Sequence, residues 1–290
     1  MSRYYSPLRY PGGKGRLAPY FTDLMECNDL TGGHYVEPYA GGAGVALSLL
    51  INGAVRHVHL NDLNFPLYCL WDSILNETDA LCRKIYNGKI SVEAWKRHKR
   101  RVGSCDDYSK LDVAFSMLFL NRTNRSGIIN GGMIGGYEQS GTWKMDARFY
   151  KKTITQRINK IAEHRENVSL YNLDAVVFLK GVISKLPKET LVYIDPPYYK
   201  NGQRLYDNYY KHEDHEQISK VVHQLKRSWV VSYDNVPEIS SLYSSNRQLK
   251  YSLEYSAGKH YKGSELMIYS DNMVLPNPNN PTSKKNNSNI

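Results

Sequence analysis

Apolar and polar residues follow two different patterns along this chain, and the two patterns occupy different regions. Short, continuous apolar runs are typical of strands buried on both faces of a parallel sheet. Such strands are predicted at 35–37, 56–61, 168–171, 190–194 and 264–269. Between residues 70 and 168 helical periodicity takes over, which predicts helices at 71–86, 92–101 and 111–121. The sequence therefore predicts an α/β protein with a helical insertion.

The change of pattern also predicts the domain organisation. Residues 1–70 and 151–275 are expected to form one discontinuous sheet domain, with residues 71–150 inserted into it. The last segment, 276–290, is rich in Pro, Asn, Ser and Lys, lacks a core-forming pattern and is predicted to be disordered. The stretch 212–216 contains acids and histidines but opens a predicted helix, where acids favour the positive helix end. No metal site is therefore predicted.

The composition indicates which class of partner the protein binds and in which cellular compartment it is expected. The 290 residues carry a net charge of +10 at pH 7 and an isoelectric point of about 9.2, which favours a polyanionic partner such as nucleic acid. The four cysteines show no paired metal-ligand spacing and indicate reduced thiols. We find no signal peptide and no apolar run of membrane-spanning length, so a soluble cytoplasmic protein is expected.

The stretch Asp195-Pro196-Pro197-Tyr198 directly follows the predicted strand 190–194 and gives the strongest chemical signal. Ligands of open α/β sheets bind outside the carboxyl ends of the strands, where Asp195 is expected. The two prolines remove backbone N–H donors, so carbonyl oxygens and the Asp195 carboxylate remain as acceptors for an amino group. Tyr198 adds an aromatic face for a planar ring. Although these four residues alone also fit a plain turn, they favour a nucleobase with an exocyclic amine as the substrate.

A glycine-rich turn between two predicted strands indicates an adenosine-containing cofactor. The segment Glu37 to Gly44 follows one strand and includes Gly42, and Asp62 follows the next strand. Glycines let the backbone approach a ligand closely. An acid about twenty residues beyond such a turn meets ribose hydroxyls. Glu37 before the glycines suits a cationic or zwitterionic ligand better than a pyrophosphate, and a dinucleotide is the alternative.

Residues 9–16 form a third element, in which Tyr10 and Lys14 flank a pair of glycines. The element is not a P-loop, because the glycine and hydroxyl positions of that motif are not matched. Tyr10 and Lys14 can instead hold a ligand that bears a carboxylate. A basic surface turn is the alternative for this element alone.

Together, and in this order, the three elements resemble the Dam-type DNA adenine-N6 methyltransferases of the alpha group, the Asp-Pro-Pro-Tyr class. The resemblance spans nearly all of residues 5–275. It implies a Rossmann-like sheet with helices on both faces, S-adenosyl-L-methionine as the cofactor, double-stranded DNA as the substrate and base flipping before transfer. A prokaryotic or phage-encoded cytoplasmic enzyme is implied, with a separate cognate restriction endonuclease as a further candidate partner.

The resemblance also implies individual residue roles. Catalytic roles fall to Asp195, Pro196 and Tyr198, where the Asp195 carboxylate and the Pro196 carbonyl accept hydrogen bonds from the target amine and Tyr198 stacks on the base. Contacts to the cofactor fall to Tyr10, Lys14, Glu37, Gly42, Asp62, Asp174 and Asp195.

The helical insertion contains the residues expected to contact DNA. Lys96 and Arg100 lie in the basic block 95–101, which favours phosphate contact over a merely solvated face. Arg122, Asn124 and Arg125 open a glycine-rich loop, and Arg and Asn side chains read base edges in the major groove. Relatives that read GATC carry a different loop, so an adenine target outside GATC is expected.

Three alternatives stay open from the sequence. The Asp-Pro-Pro-Tyr stretch also fits methylation of the cytosine 4-amino group, because both bases present an amine conjugated to a ring. An RNA amine methyltransferase would prefer single-stranded or 2′-hydroxyl-bearing substrates. A catalytically silent DNA-binding regulator is disfavoured, because it has no need for an intact set of Lys14, Asp62, Asp195 and Tyr198.

Overall fold

The structure, a computed structural model, describes residues 5–9, 14–200, 210–255, 261–276 and 281–282. Within these residues a seven-stranded sheet is formed by β1 His34–Glu37, β2 His57–Asn61, β3 Val168–Tyr171, β4 Thr190–Ile194, β5 Ser228–Asp234, β6 Arg247–Tyr255 and β7 Tyr261–Tyr269. The strand order is β3-β2-β1-β4-β5-β7-β6, with β1 to β5 parallel and β7 antiparallel to its neighbours. This Rossmann-like order places a topological switch point between β1 and β4.

Helices cover both faces of the sheet. In the described part of the chain they are α1 Ala18–Cys27, α2 Gly44–Ile51, α3 Phe65–Asn76, α4 Thr78–Asn87, α5 Val92–Gly103, α6 Lys110–Thr123, α7 Lys151–Ala162, α8 Ala175–Gly181, α9 His212–His223 and α10 Pro237–Leu242. Buried residues of α1 to α7 join one apolar core, and those of α8 to α10 join the other. The predicted α/β class and its two helical layers are therefore confirmed.

The two cores explain why the central strands are continuously apolar. Side chains alternate between the faces of a strand. In β1, Tyr35 joins the core of α1 to α7 and Val36 joins the core of α8 to α10; Leu191 and Val192 of β4 divide in the same way. Strands covered on both faces have no position that prefers a polar side chain. The predicted strands 168–171 and 190–194 coincide with β3 and β4.

The helical insertion shares its core with the sheet. Helices α3 to α7 connect β2 to β3, and Leu67 of α3 and Met117 of α6 lie in the same apolar core as Leu191 of β4. The α-helices of this connection run from Phe65 at the start of α3 to Ala162 at the end of α7, and the domain bounds 71–150 stay a prediction. The predicted tail 276–290 lies outside the described residues, apart from 276 and 281–282.

The predicted single helix at 71–86 is wrong, because two helices occupy this region. Helix α3 ends and α4 begins at Glu77, whose backbone is not helical (φ −129°, ψ 34°). The Thr78 hydroxyl then donates to the carbonyl of Ile74 at 2.8 Å. Both helices bury apolar residues in the same core, so the apolar pattern runs across the break and conceals it.

The stretch 212–216 begins helix α9, as its acids indicate. The Asp214 carboxylate accepts a 2.8 Å hydrogen bond from the backbone N–H of Lys211 and so caps the helix. Within the described residues no group of three or more His, Cys, Asp or Glu side chains is arranged to hold a metal ion. A search of the same residues also finds no helix with the length and apolar character needed to cross a bilayer.

Candidate active site

Three carboxyl groups meet where three neighbouring parallel strands end. Glu37 is the last residue of β1, Asp62 follows β2, and Asp195 follows β4. Because β1 lies between β2 and β4, the carboxyl ends of these strands face one region beside the switch point. All three residues line a cavity of about 430 Å³. The sequence prediction that they belong to one site is thus consistent with their placement.

Asp195 is held by a chain of hydroxyl groups. Its Oδ1 atom accepts a 2.6 Å hydrogen bond from the hydroxyl of Ser232 on β5, and the Tyr193 hydroxyl lies 2.8 Å from the same Ser232 oxygen. Burial raises the pKa of Asp195, while the charge of Lys14 and the Ser232 hydrogen bond oppose that shift. These contacts fix one oxygen of the carboxylate at the cavity wall.

Lys14 is buried among acids. Its Nζ donates a 2.7 Å hydrogen bond to Oε2 of Glu265 on β7, and it lies 3.6 Å from Oδ1 of Asp195. Burial by itself lowers the pKa of Lys14, but Asp195 leads a set of nearby groups that hold it well above its usual value. Lys14 lines the cavity as predicted, yet its charge is already paired with two carboxylates. This pairing leaves no unshared positive charge at Lys14 for a ligand carboxylate.

The glycine-rich turn and Asp62 are bonded to each other. Asp62 Oδ2 accepts from the backbone N–H of Gly41 at 2.9 Å, and its Oδ1 accepts from the backbone N–H of Asn64 at 2.9 Å. Burial raises the pKa of Asp62, and these two hydrogen bonds oppose the rise. Gly42 lines the cavity next to this bond, and Gly41 has a φ of +47°, which favours glycine. The side chain of Asp62 thereby sets the shape of the turn.

Glu37 lies beneath the same turn. It is buried and accepts a 3.1 Å hydrogen bond from the backbone N–H of Ala46 in the first turn of α2. Burial raises its pKa to about 8, with a further contribution from the charge of Asp195 and opposition from the Ala46 hydrogen bond. The raised pKa favours the protonated form of Glu37, which can donate as well as accept a hydrogen bond.

The structure places Tyr198 against Lys14, and its stacking on a base stays a prediction. The ring is 7% exposed and does not face the cavity. Its hydroxyl accepts a 3.2 Å hydrogen bond from Lys14, whose Nζ lies 5.2 Å from the ring centroid. Among the described residues, the aromatic rings that line the cavity belong to Tyr39, Tyr193 and Tyr210, and the hydroxyls of Tyr39 and Tyr210 lie 2.9 Å apart. In this structure Lys14 therefore contacts both the hydroxyl and the ring of Tyr198.

Within the described part of the chain, the remaining residues predicted to bind the cofactor or to act in catalysis are not among those that line the cavity. Asp174 lies between the lining residues Leu173 and Ala175, but its own carboxylate caps helix α8 by accepting from two backbone N–H groups at 2.9 and 3.2 Å. Pro196 is buried, next to the lining residue Pro197. Tyr10 lies outside the described residues. Contact of Asp174 with the cofactor adenine stays a prediction.

Asn124 is wrong as a residue that reads bases. Its side chain is fully buried: Oδ1 accepts from Trp95 Nε1 at 2.6 Å, and Nδ2 donates to the carbonyls of Ile128 and Ile129 at 2.8 and 2.9 Å. Every polar atom of the amide is used, because the loop closes over this side chain. Asn124 shapes the glycine-rich loop after α6, residues 124–136, from within.

Arg122 also differs from the prediction. It is 6% exposed at the end of α6 and lines the central cavity, a position that prevents its reaching into a major groove. Arg125, three residues later, is exposed at the start of the loop. Of the three residues predicted to read bases, Arg125 alone has the exposure that this role requires.

The basic helix α5 presents its charged side to solvent. Lys96 and Arg100 are exposed, whereas Trp95 and His98 on the opposite side are buried. Lys96 Nζ lies 5.7 Å from the ring centroid of Tyr137, which is 61% exposed. The predicted phosphate-contacting residues therefore lie on an accessible basic surface with an aromatic neighbour.

Two residues of the site were not found from the sequence. Ser232 and Glu265 contact Asp195 and Lys14 from strands that lie far away in the chain. The signal available was weak: Ser232 lies between the apolar or aromatic residues Val231 and Tyr233, and Glu265 directly precedes the run Leu266–Tyr269. A buried polar residue needs a partner, but the sequence does not say which.

Comparison with known proteins gives consistent results. The sequence matches the model of the family described as D12 class N6 adenine-specific DNA methyltransferase over residues 10–257. A relative, the Type II methyltransferase M.MjaIII of Methanocaldococcus jannaschii, is 24% identical over 205 residues, which are 66% of this chain and 68% of that protein.

Solved structures show more distant likeness. The rRNA methyltransferase aviRa from Streptomyces viridochromogenes has a TM-score of 0.39 at 10% identity. The match covers 90% of this chain and 86% of the aviRa chain. Precorrin-6y C5,15-methyltransferase from Geobacter metallireducens has a TM-score of 0.32 at 7% identity, covering 83% and 80%. Both TM-scores are under 0.5, so neither likeness supports a conclusion about this chain.

Proposed function

Because the chain belongs to the D12 class of N6 adenine-specific DNA methyltransferases, we propose that its central cavity brings S-adenosyl-L-methionine together with an adenine flipped out of double-stranded DNA. The observation that carries this proposal is the position of Asp195. Its carboxylate lies at the wall of a cavity that also exposes Asp62 and the glycine turn. One cavity therefore offers an acceptor for an amine beside groups suited to an adenosine cofactor.

The residues present fit the cofactor. Asp62 and Gly42 line the part of the cavity that suits ribose, and Glu37 stands below them as a polar group that can donate or accept. A Cβ on Gly44 would come within 3.1 Å of the backbone of Gly15, so the turn and the amino-terminal element are closely packed. S-adenosyl-L-methionine, when bound, supplies an electrophilic methyl group on a sulfonium. These residues align it, which is the main requirement of in-line transfer.

The acceptor groups activate the target amine. An adenine 6-amino nitrogen is a poor nucleophile, because its lone pair is delocalised into the ring. Asp195 and the carbonyl of Pro196 accept hydrogen bonds from its two N–H groups, favour tetrahedral geometry at the nitrogen and stabilise the positive charge that develops there. Ser232 holds Asp195 at 2.6 Å and so fixes the direction of this acceptor.

Base flipping requires a change at Tyr198. The target amine is out of reach inside a duplex, so the base has to leave the stack. In the structure the Tyr198 ring lies over Lys14. Its predicted stacking on the flipped base thus depends on release of that contact, whereas Tyr39 and Tyr210 already line the cavity with aromatic rings.

The basic surface of α5 binds the DNA backbone. Lys96 and Arg100 are exposed there, and Arg125 is exposed at the start of the recognition loop. Contacts from Lys and Arg to phosphates supply affinity without sequence preference, while Arg to a guanine edge supplies specificity. Helix α5 is therefore assigned to affinity and Arg125 to sequence readout.

Mapping the methylated base tests the proposal directly. The protein is incubated with methylation-free plasmid and labelled S-adenosyl-L-methionine, the product is hydrolysed to nucleosides, and modified positions are sequenced. We expect N6-methyladenine in a short double-stranded sequence other than GATC. Label in N4-methylcytosine, or transfer to RNA in preference to duplex DNA, would contradict the proposal, and an Asp195→Ala control should remove all transfer.

A restriction endonuclease is the proposed cellular counterpart. The name of the relative M.MjaIII, a Type II methyltransferase, supports this partner class. The two enzymes are expected to act separately on the same sequence. Plasmid methylated by this protein should resist an endonuclease of that specificity, and cleavage at fully methylated sites would contradict the pairing.

A further inference from the structure

The wall of the central cavity carries a cluster of positive charge that the proposed chemistry does not use. Arg9, Arg122 and Arg157, here called the arginine cluster, all line the cavity. They come from the amino-terminal segment, the end of α6 and the middle of α7. Arg122 is only 6% exposed. A buried cation without an anion is costly, so the cluster indicates a missing ligand.

No acidic side chain in the described part of the chain forms an ion pair with the cluster. Arg9 and Arg157 each donate to a backbone carbonyl, those of Asn124 at 3.2 Å and Ser6 at 2.9 Å. The Nε atoms of Arg122 and Arg157 find no hydrogen-bond partner among the described residues. Burial first, and then the charges of Arg157 and Arg9, lower the pKa of Arg122 to about 10, so it remains charged at neutral pH.

The position of the cluster favours one of two candidate anions, which are the carboxylate of the cofactor and a phosphate of the DNA backbone. Residues 127–130 of the recognition loop line the cavity beside the arginines. Asn121 connects the two: it bonds both the N–H and the carbonyl of Arg9 at 2.9 Å, and donates to the carbonyl of Gly127 at 3.0 Å. The residues suited to the cofactor lie elsewhere: Gly42 follows β1 and Asp62 follows β2. The cluster thus lies beside the loop that is proposed to contact the nucleic acid.

We propose that the arginine cluster binds the phosphodiester group next to the flipped target adenine. The inference rests on the proposed function. Guanidinium groups match phosphate oxygens in a planar, bidentate geometry. The cluster holds the extrahelical nucleotide by its backbone while Asp195 contacts its amine. Because a stacked nucleotide cannot reach a buried arginine, this contact favours the flipped state over the stacked one.

Neutralising one phosphate at a time tests the proposal. Duplexes with the mapped recognition sequence carry a methylphosphonate on the 5′ or the 3′ side of the target adenine, and kcat/KM is measured for wild type, Arg122→Met and Lys96→Met. For wild type, one of these linkages should lower kcat/KM about tenfold or more. In Arg122→Met the same linkage should change it less than about twofold, since the interaction is already lost. Lys96→Met, which removes an outer contact, should keep the wild-type sensitivity.

A cofactor-binding experiment tests whether the arginine cluster binds the carboxylate of the cofactor instead of a phosphate. Binding of S-adenosylhomocysteine is compared with binding of 5′-methylthioadenosine, which lacks the carboxylate. Arg122→Met should bind both as wild type does. If it loses affinity for S-adenosylhomocysteine alone, the cluster binds the carboxylate and the phosphate proposal is overturned. Full sensitivity of Arg122→Met to both methylphosphonates overturns it equally.

Two further variants control for loss of charge and for misfolding. Arg122→Lys keeps the charge and should recover part of the sensitivity, which a purely structural role would not predict. Arg157→Met changes a less buried member of the cluster and repeats the cycle if Arg122→Met does not fold. Formation of N6-methyladenine by wild type on plasmid is read independently, so failure of the cluster proposal is distinct from failure of the proposed function.

Discussion

Lys14 Nζ lies 2.7 Å from Oε2 of Glu265 and thereby ties the amino-terminal segment to the antiparallel strand β7. The pair is almost fully buried. Asp195 stands 3.6 Å from the same ammonium group. One lysine therefore pairs with both Glu265 and Asp195, the proposed catalytic carboxylate, so replacing either acid changes the electrostatic environment of the other.

Replacing Lys14 should destabilise the fold. Lys14→Met leaves Glu265 and Asp195 without their counter-charge, and breaking a buried pair costs about 3–5 kcal/mol. The free energy of unfolding is measured by urea denaturation at neutral pH. Adding Glu265→Gln should recover part of the loss, because one uncompensated charge is removed. Simple addition of the two single effects would contradict coupling between Lys14 and Glu265.

Ser232 should act as a positioning residue for Asp195. Ser232→Ala removes the 2.6 Å hydrogen bond to the carboxylate and should lower kcat by roughly 10- to 100-fold with little change in KM. Ser240→Ala is the control, since that hydroxyl bonds Gln248. Steady-state methylation of plasmid measures both variants. Equal effects of the two substitutions would show that Ser232 has no special relation to the reaction.

Substitutions of Asp62 and Asp174 should have different effects on the affinity for the cofactor. Asp62→Asn weakens the bond to the Gly41 N–H and removes charge from the proposed ribose site, so the Kd for S-adenosylhomocysteine should rise about tenfold or more. Asp174→Asn keeps a capping side chain on α8 and should change the Kd little, unless Asp174 contacts the cofactor adenine as the resemblance implies. Isothermal titration distinguishes these outcomes.

A glycine pair in the recognition loop allows a matched test. Gly127 has a φ of +78°, and a Cβ there would lie 2.2 Å from the carbonyl oxygen of Arg9. Gly127→Ala should therefore displace the loop and reduce preference for the recognition sequence. Gly132→Ala adds its Cβ to open space and should leave binding unchanged. Competition between specific and unrelated duplexes measures the effect, and similar behaviour of both variants would count against a close packing role for Gly127.

Stability should fall in mild acid because of a histidine stack on β1 and β2. Ring nitrogens of His34 and His59 lie 3.0 Å apart, and His57 stacks on His34 and is tilted against His59. Burial, then the neighbouring histidines, lower the pKa of His59 to about 3. Since the unfolded residue titrates near its usual value, the unfolded state takes up the proton first. Stability is full above that value and declines as pH falls, by about 2 kcal/mol for His59 between pH 7 and 5.

Urea denaturation at several pH values measures this decline. The variant His59→Gln should flatten the dependence between pH 7 and 5, whereas His164→Gln, which changes a residue outside the stack, should keep it. A wild-type stability that rises on acidification over this range would contradict the depressed pKa of His59.

Asp195 and Ser232 show how far the sequence could lead. The place of Asp195 follows from local features, because an apolar strand fixes its position and the prolines end the strand. Ser232 depends on the pairing of β4 with β5, a long-range relationship that no local pattern encodes. Asn124 shows the converse error: its residue type suits base recognition, but Trp95 and two loop carbonyls claim its amide in the folded chain.

The connection between β2 and β3 has an evolutionary consequence. These strands are adjacent and parallel, so the chain leaves the sheet and returns one strand away, with α3 to α7 in between. Changes in the length of this excursion leave the strand order, and hence the meeting of Glu37, Asp62 and Asp195, unaltered. The shared apolar core limits what α3 and α6 can become, but residues 124–144 add only Met133 to the fully buried members of that core. Substitutions in this short segment can therefore accumulate without disturbing the shared core or the place where Glu37, Asp62 and Asp195 meet.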